Sequence, residues 1–499
     1  MSINPTVHHT YSCNPSNIMA AISQHKYGLL FLNLINILPL STMLSWPTFF
    51  AFIIVAFETL FILQQWRHPI FHFLLLSYFF FAIKTYFLKS KQPRPVYLVD
   101  FSCYKPPSKC KVPFSSFIHH ASMIEAFDTE SVEFMAKTLV SSGLSQETYL
   151  PPALHCIPPK THHRESINEA QMVLFPVMDD LLSKTKLSPH DIDILIVNCS
   201  GFCPSPSLSS IIINKYSMKS DIKSYNLSGM GCSAGTIGVD LAQNLLKTHE
   251  NKTAIVLSTE ILSTGWYSGH EKPKLILNCF FRMGGAGILL SNKKQAENTS
   301  KYKLIHSLRT QRAYDDTAYY AAYREEDCRG ILGVTFNKDL LQAVSETLRS
   351  HITLLGSQIL PFTEQLFHVI SILRKKLIDK SAEIYTPSFK TVVQHFCLPS
   401  SGKPLIRELA KELNLNGRDI EPALMTLHRF GNQSSSSWWY ELGYMEGRGR
   451  VKKGDKIWVL GLGTGIKCCS LVLECLRPIV EDNKKSPWSC CIQQYPIQV

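Results

Sequence analysis

The chain has 499 residues, of which 45% are hydrophobic and 18% charged, and its formal net charge is +12 at pH 7. This length exceeds one ordinary single-core domain, so we expect two core units or one large duplicated fold. A basic chain can attract nucleic acid, anionic lipid or an anionic substrate. Because Lys and Arg form no stripe interleaved with aromatic residues, we expect no nucleic-acid partner.

Two apolar runs lie near the N-terminus, at Trp46–Leu63 and Ile70–Leu88, with a polar break at Gln64–Pro69. Each run has roughly the ~20 residues that a helix needs to cross a bilayer. After an N-terminal tail, 1–26, we therefore predict a transmembrane helical hairpin within 27–90. The alternative is a hairpin buried in a protein core. A signal peptide fits poorly, since there are two runs and the first begins far from the N-terminus.

The basic residues Lys89, Lys91 and Arg94 follow the second run directly. The positive-inside rule places this end in the cytosol, so two spans would put the N-terminal tail and the large C-terminal part on the same side. The 15 cysteines are odd in number and include no CxxC pair. This usage suits a reducing compartment better than a disulfide framework.

The segment 91–300 alternates strand-like and helix-like stretches. The uninterrupted apolar run in Asp191–Ser200 predicts a buried parallel strand. The polar run Asn292–Lys301 separates this segment from the next. Further strands are predicted at Val96–Tyr104, Asn251–Glu260 and Met283–Asn292, and helices at Glu130–Gly143, Ser166–Thr185 and Ser207–Tyr216.

The segment 301–480 repeats this alternation and is followed by a tail, 481–499. Two αβ-rich halves of similar size predict an internally duplicated α/β fold. The glycines of Gly461–Gly465 do not form a GxGxxG fingerprint, so we expect no dinucleotide site there. Strands are predicted at Tyr302–Thr310, Lys390–Leu398, Asp455–Gly463 and Gly465–Leu476, and helices at Leu340–Leu360 and Pro404–Leu415.

Cys232 is the candidate nucleophile. Before Cys232 we predict the end of a strand and a tight turn. After it, the apolar residues Ile237, Leu241 and Leu245 recur at helical spacing. A thiol at a helix start is favoured as thiolate by the unpaired N–H groups and the helix dipole. The neighbouring glycine, serine and alanine residues leave room for backbone and ligand to approach the sulfur. The alternative is a small buried cysteine at a helix–strand packing site.

Several long motifs, in order, resemble plant 3-ketoacyl-CoA synthases, the condensing enzymes of fatty acid elongation. The similarity extends from about Tyr27 to about Leu476, including the predicted hairpin. The motifs are "RPVYLVDFSCYKPP" (Arg94–Pro107), "SPSLSSIIINKY" (Ser205–Tyr216), "NLSGMGCSAG" (Asn226–Gly235), "NCFFRMGGAGILLSN" (Asn278–Asn292) and "MTLHRFGNQSSSSWWYELGY" (Met425–Tyr444).

This resemblance implies a duplicated thiolase-like fold of five α-β-α-β-α layers, anchored in the endoplasmic reticulum membrane with its catalytic part facing the cytosol. It implies that Cys232 takes an acyl group from acyl-CoA as a thioester. Malonyl-CoA then loses CO2, and the resulting enolate attacks the thioester. The implied substrates are acyl-CoA and malonyl-CoA, with no metal or other cofactor. A homodimer or heterodimer with other elongase subunits is the implied assembly.

The resemblance also supplies candidates for stabilising the enolate. Asn432 matches the family's asparagine, whose amide would hold the malonyl thioester oxygen. His428, four residues before it, and His395 are weaker candidates. His395 lies four residues before Pro399, the position of the family's catalytic histidine. Strand residues four apart lie about 13 Å apart, so we interpret His395 as a structural neighbour of the active site. For the serine run Ser434–Ser437 we favour a capping and packing role.

The chain departs from the family pattern at two positions. Pro399 occupies the place of the catalytic histidine, and proline has neither a side-chain donor nor a backbone N–H. Gln311 stands where relatives commonly have histidine. Two hypotheses therefore remain: a working 3-ketoacyl-CoA synthase, or a catalytically impaired member that binds and modulates active condensing enzymes. A cysteine hydrolase is a weaker third, since no histidine is placed for it.

Overall fold

The computed structural model describes residues 53–59, 69–90, 94–385, 387–479 and 486–498. The chain divides into an N-terminal unit, Met1–Gln92, and a second unit, Pro93–Val499. Each unit has its own internal contacts and is considered separately below.

The N-terminal unit contains helical residues 53–59 and helix α1, Pro69–Ser90. In the ranges of this unit that the structure describes, as in the rest, no helix is long and apolar enough to cross a membrane. Most of the first predicted run, Trp46–Leu63, and the whole tail 1–26 lie outside the described residues. The transmembrane hairpin and its orientation therefore stay predictions.

The second unit is built on a nine-stranded mixed sheet with the order β3-β2-β4-β5-β1-β6-β11-β10-β9. A separate two-stranded antiparallel sheet joins β7 to β8. The strands are β1 Val96–Cys103, β2 Ile194–Asn198, β3 Lys223–Leu227, β4 Thr253–Thr259, β5 Gly285–Ser291, β6 Tyr302–Gln311, β7 Ala322–Glu326, β8 Leu332–Phe336, β9 His395–Cys397, β10 Lys456–Gly463 and β11 Lys467–Cys475.

The same succession of strand pairings occurs twice along the large sheet. In the first half β2 and β4 are parallel, and β4–β5 and β5–β1 are antiparallel. In the second half β9 and β10 are parallel, and β10–β11 and β11–β6 are antiparallel. The halves join through the antiparallel pair β1–β6. The sheet thus has the internal repeat expected from the sequence, while the division into 91–300 and 301–480 stays a prediction.

Helices cover this sheet and bury most of its strands. The predicted parallel strand is confirmed: every residue of β2 is buried, and both neighbours, β3 and β4, run parallel to it. The helices of this unit are α2 Phe114–Ser122, α3 Thr129–Ser141, α4 His163–Thr185, α5 Leu208–Tyr216, α6 Ala234–Thr248, α7 Leu262–Gly265, α8 Lys272–Phe280, α9 Ala296–Thr299, α10 Asp316–Tyr319, α11 Leu340–Ile359, α12 Phe362–Leu377, α13 Lys403–Glu412, α14 Gly417–Phe430 and α15 Ser437–Gly447.

The clearest difference from the sequence prediction is the strand expected at Lys390–Leu398. Only His395–Cys397 forms a strand, because the start of the predicted stretch belongs to a 3₁₀ turn, Phe389–Thr391, in which Phe389 is buried. Packing of that aromatic ring against Trp458, with ring centroids 4.7 Å apart, is a tertiary contact that local β propensity does not contain. The C-terminal tail also packs into the core, where Trp488 is fully buried.

Candidate functional site

Cys232 lies in a single 3₁₀ turn, Gly231–Ser233, between β3 and helix α6. Helix α6 begins two residues later, at Ala234, and buries Ile237, Val239 and Leu246. The predicted position of the thiol at a helix start is therefore what the structure has. The buried face of this amphipathic helix packs in the core, and the 3₁₀ turn just before the helix presents the thiol.

The glycines beside Cys232 permit two close backbone contacts. Gly231 has φ +62°, and a Cβ there would lie 2.4 Å from the backbone nitrogen of Thr464. A Cβ on Gly235 would lie 2.2 Å from the carbonyl oxygen of Ser435. The small residues therefore let two loops approach the thiol, one after β10 and one after Asn432. The glycine-rich stretch Gly461–Gly465 ends β10 and begins the first of these loops.

A cavity of about 410 Å³ opens at Cys232 and extends between the two halves of the second unit. Ser200, Glu260 and Ser434 line it near the sulfur, and the cations Arg324 and Lys467 also line it. No histidine is among its lining residues in the part of the chain that the structure describes. Much of the remaining wall is apolar and includes Ile261, Leu262, Leu277, Phe281, Val334 and Phe336.

The polar neighbours of the Cys232 sulfur are a hydroxyl and a carboxylate. The Oγ of Ser434 lies 3.4 Å from the sulfur and also 3.4 Å from Oε2 of Glu260. Ser434 therefore bridges the thiol and the carboxylate. We did not foresee this arrangement, because Ser434 and Glu260 are far from each other and from Cys232 in sequence.

Glu260 follows β4 directly and accepts hydrogen bonds from a loop after β2. Its Oε1 accepts from the backbone N–H of Gly201 at 2.7 Å, and its Oε2 accepts from the N–H of Ser200 at 3.3 Å. Burial raises the pKa of Glu260, although these donors and Ser434 lower it. The Glu260 side chain is thus fixed by hydrogen bonds and binds a proton more tightly than an exposed glutamate.

The acidity of the Cys232 thiol differs from the sequence expectation. Burial raises its pKa to about 11, the Ser434 hydroxyl lowers it, and the Glu260 carboxylate raises it. A thiolate favoured by the helix start was expected, and this expectation is wrong. The partial charges of the first helical turn act on a thiol that is desolvated and faces an acidic group. Cys232 is therefore a neutral thiol at rest.

Asn432 is buried two residues before Ser434 and is not among the described residues that line the cavity. Its amide oxygen fixes Ser434. The Asn432 Oδ1 accepts a hydrogen bond from the backbone N–H of Ser434 at 2.8 Å. Ser434 has φ +54°, a left-handed conformation that costs energy for a residue with a Cβ. The hydrogen bond to Asn432 offsets part of this cost and orients the Ser434 hydroxyl.

The rest of the serine run has the expected packing and capping contacts. The Ser435 hydroxyl donates to Oδ1 of Asn198 at 2.7 Å, and the Ser436 hydroxyl donates to the carbonyl of Gln433 at 2.9 Å. The Ser437 hydroxyl accepts from the backbone N–H of Gln433 at 3.1 Å. Ser434 differs from the other three in that its hydroxyl contacts Cys232.

Pro399 is buried just beyond β9, in a loop that a carboxylate holds. Glu441 accepts from the backbone N–H of Leu398 and from the hydroxyl of Ser400, both at 2.9 Å. Pro399 is not among the described residues that line the cavity. The loop is therefore well anchored on both sides of a residue that offers no imidazole.

The two weaker histidine candidates have structural partners elsewhere. The Nε2 of His395 lies 2.9 Å from Oδ2 of Asp455, in the turn before β10. The Nδ1 of His428 lies 3.0 Å from the hydroxyl oxygen of Tyr495, in the C-terminal tail. Neither histidine lines the cavity in the described part of the chain. Both imidazoles therefore have polar partners outside the cavity, and their catalytic role stays a prediction.

Gln311 ends β6 and is exposed, opposite Lys467 in β11. Lys467 lines the cavity, and burial lowers the pKa of its ammonium group. Arg324, a second cation at the cavity, donates to the carbonyl of Gly201 at 2.7 Å. Two cations therefore stand at a cavity whose remaining wall is largely apolar.

The site residues missed from sequence, Glu260 and Ser434, leave only weak sequence signals. Glu260 is an acidic residue directly after a fully buried strand, and Ser434 lies two residues after Asn432. The resemblance implied no metal for this site. Across the ranges that the structure describes, no group of three or more His, Cys, Asp and Glu side chains could hold one.

Comparison with known families and proteins gives matches across most of the chain. Residues 88–377 match the family model described as FAE1/Type III polyketide synthase-like protein. Residues 390–475 match the C-terminal model of 3-oxoacyl-[acyl-carrier-protein] synthase III. The chain is 48% identical to 3-ketoacyl-CoA synthase 5 of Arabidopsis thaliana over 440 residues, 88% of this chain and 89% of that protein. It is 49% identical to 3-ketoacyl-CoA synthase 6 of the same plant, with 84% of each covered.

Solved structures show the same fold at low sequence identity. A fungal type III polyketide synthase, ORAS, superposes with a TM-score of 0.60 at 13% identity, covering 76% of this chain and 99% of that one. A polyketide synthase from the brown alga Ectocarpus siliculosus gives 0.59 at 15% identity, covering 77% of this chain and all of that one. The second unit therefore has the thiolase-like α/β fold expected from the resemblance.

Proposed function

Because the chain belongs to the family of plant 3-ketoacyl-CoA synthases, we propose that it condenses malonyl-CoA with a long-chain acyl-CoA. The observation that carries this proposal is the thiol of Cys232 at the opening of a largely apolar cavity. Such a wall suits an acyl chain, and Arg324 and Lys467 suit the anionic part of a coenzyme A ester.

The reaction would begin with transfer of the acyl group to sulfur. The Cys232 sulfur attacks the thioester carbonyl carbon of acyl-CoA, a new C–S bond forms, and coenzyme A leaves with a proton. Malonyl-CoA then loses CO2 to give an enolate. The enolate carbon attacks the acyl thioester, and a C–C bond forms as the C–S bond to Cys232 breaks. The 3-ketoacyl-CoA leaves, and the Cys232 thiolate takes a proton from solvent.

Asn432 is the residue that we propose for the enolate. Its Oδ1 is bonded to the Ser434 N–H, so its amide NH2 group is the end that would donate to the oxygen where charge develops. Pro399 supplies no second donor. Losing one oxyanion donor typically lowers the rate about 10²–10³-fold, so we expect slower condensation here than in an enzyme with an imidazole at that position.

A second candidate function is a catalytically impaired partner of active condensing enzymes. The observation that favours it is the buried Pro399 at the family's histidine position, with no histidine among the described residues of the cavity wall. A dimer with an active elongase subunit would be the expected form. For either function, we propose attachment to the endoplasmic reticulum membrane through 27–90 and no metal or other cofactor.

One assay separates the two candidates. Full-length protein in membranes would be tested for condensation of long-chain acyl-CoA with malonyl-CoA, beside Cys232→Ala and Pro399→His. The proposed function requires wild-type turnover that Cys232→Ala abolishes. Turnover confined to Pro399→His would instead support the impaired partner. If all three forms are inactive, co-purification with active condensing enzymes tests the binding function.

A further inference from the structure

No imidazole of the described residues lines the cavity at Cys232 to receive the thiol proton, and a different acceptor lies within reach. Ser434 is 3.4 Å from the sulfur on one side and 3.4 Å from the Glu260 carboxylate on the other. We propose that Glu260 is the general base for Cys232 and acts through the Ser434 hydroxyl. This inference deepens the proposed function and rests on it for the identity of the acyl donor.

The hydrogen-bond inventory of the three groups is consistent with proton transfer. The Ser434 hydroxyl carries one proton and two lone pairs. In the resting site it can donate that proton to the Cys232 sulfur or to Glu260, and the transfer uses the arrangement in which it donates to Glu260 and accepts from the thiol. The carboxylate has about four lone-pair sites, enough for the Gly201 and Ser200 N–H groups, the Cys199 thiol and Ser434. Both backbone donors stay in place during the transfer, and only the protons on sulfur and on the Ser434 oxygen move.

The step balances without any further reactant. The thiol proton passes to the Ser434 oxygen as the Ser434 proton passes to Oε2 of Glu260. The freed electron pair on sulfur forms the C–S bond to the acyl carbon, and collapse of the tetrahedral intermediate breaks the bond to coenzyme A. The departing coenzyme A sulfur takes a proton back through Ser434, so Glu260 ends as a carboxylate.

Two features of the site favour this assignment over direct ionisation of the thiol. Cys232 is neutral at rest, so a proton acceptor is needed when the acyl group arrives. Burial raises the pKa of Glu260, which narrows the difference between the pKa of the thiol that gives the proton and that of the carboxylate that receives it. The Asn432 amide holds Ser434 in its strained backbone conformation, and it is therefore a positioning residue for the transfer.

Replacing Glu260 should change the reactivity of Cys232 in opposite directions, depending on whether the carboxylate acts as a base or only through its charge. The Glu260 carboxylate raises the thiol pKa, so Glu260→Gln would increase the thiolate fraction if the carboxylate acted only by its field. If Glu260 is the base, the same substitution removes the proton acceptor. The reactivity of Cys232 would then fall instead of rising.

The experiment measures site-resolved alkylation of Cys232 by iodoacetamide in the full-length protein, using peptide mass spectrometry at neutral pH. We expect the rate to fall roughly 10²-fold in Glu260→Gln and in Ser434→Ala, since general-base assistance is typically worth this much. The double variant should be no slower than either single one, because both remove the same proton path. Ser436→Ala is the matched control, since that buried hydroxyl bonds the Gln433 carbonyl instead of the sulfur.

The outcomes distinguish this inference from the proposed function. A faster Cys232 alkylation in Glu260→Gln, or an unchanged one, would overturn the base assignment, whatever the condensation assay gives. Slower alkylation in both single variants, with thermal stability close to that of Ser436→Ala, supports the base assignment. If alkylation behaves in this way while wild-type protein never condenses malonyl-CoA, the base assignment stands and the proposed function fails.

Discussion

The amide oxygen of Asn432 accepts the backbone N–H of Ser434 at 2.8 Å, and the Ser434 hydroxyl lies 3.4 Å from the sulfur of Cys232. The asparagine is thus linked to the nucleophile through a residue only two positions further along the chain. This gives Asn432 a second task beside the enolate contact proposed for its NH2 group. The two tasks use different ends of one amide, so substitutions can separate them.

Asn432→Ala removes both the acceptor for Ser434 and the NH2 donor. We expect condensation to fall about 10²–10³-fold, together with slower alkylation of Cys232. Asn432→Asp keeps an acceptor for the Ser434 N–H but lacks the NH2 group. It should therefore retain Cys232 alkylation while losing condensation. Equal alkylation rates in wild-type protein and Asn432→Ala would show that Asn432 does not position Ser434.

Gly235→Ala tests the close approach of helix α6 to the serine run. The added Cβ would lie 2.2 Å from the Ser435 carbonyl oxygen, so the backbone must shift. We expect a loss of about 1–3 kcal/mol in the free energy of unfolding, measured by thermal denaturation. Gly417→Ala is the control, since nothing lies within 4 Å of a Cβ there. A Gly235→Ala protein as stable as this control would contradict the packing described here.

His395→Gln tests whether this histidine is structural. Its Nε2 pairs with Asp455 at 2.9 Å, away from the cavity lining. Loss of a hydrogen bond of this kind typically costs about 1 kcal/mol, and the glutamine amide can replace part of it. We therefore expect a small drop in melting temperature and an unchanged condensation rate per folded molecule. A large fall in rate at unchanged melting temperature would place His395 in the reaction instead.

Glu169→Gln tests the pH dependence of stability. Burial raises the pKa of Glu169 to about 7, although the Ser263 hydroxyl and the backbone N–H groups of Leu262 and Ser263 lower it. An unfolded glutamate titrates near about 4.3. The folded state binds the proton more tightly, so this contribution is fully present below about pH 4.3 and is lost as pH rises to about 7.

We therefore expect wild-type protein to lose more stability than Glu169→Gln between pH 5 and pH 8, because glutamine does not titrate. The difference should be about 1–3 kcal/mol, since one pKa unit corresponds to about 1.4 kcal/mol. The melting temperatures of both proteins at the two pH values give this comparison. Parallel changes in the two proteins would show that Glu169 does not carry this pH dependence.

Prediction from sequence succeeded where one local pattern was sufficient. The amphipathic spacing after Cys232 predicted a helix start, and α6 begins at Ala234. The apolar run after Asp191 predicted a buried parallel strand, and β2 is one. Local β propensity failed at Lys390–Leu398, where packing of Phe389 on Trp458 replaces most of a strand with a turn.

The sequence by itself determined the α/β fold class and the family, because both follow from continuous stretches of residues, and it identified Cys232 as the candidate nucleophile and Pro399 as the residue at the family's histidine position. Only the tertiary structure decided what surrounds the sulfur. Ser434 lies 202 positions from Cys232 and 174 from Glu260, and the sheet and its connecting loops bring the three together. The pKa of the thiol depends on burial and on the Glu260 carboxylate, which is distant in sequence. The local helix-start pattern therefore predicted the wrong direction for the pKa shift.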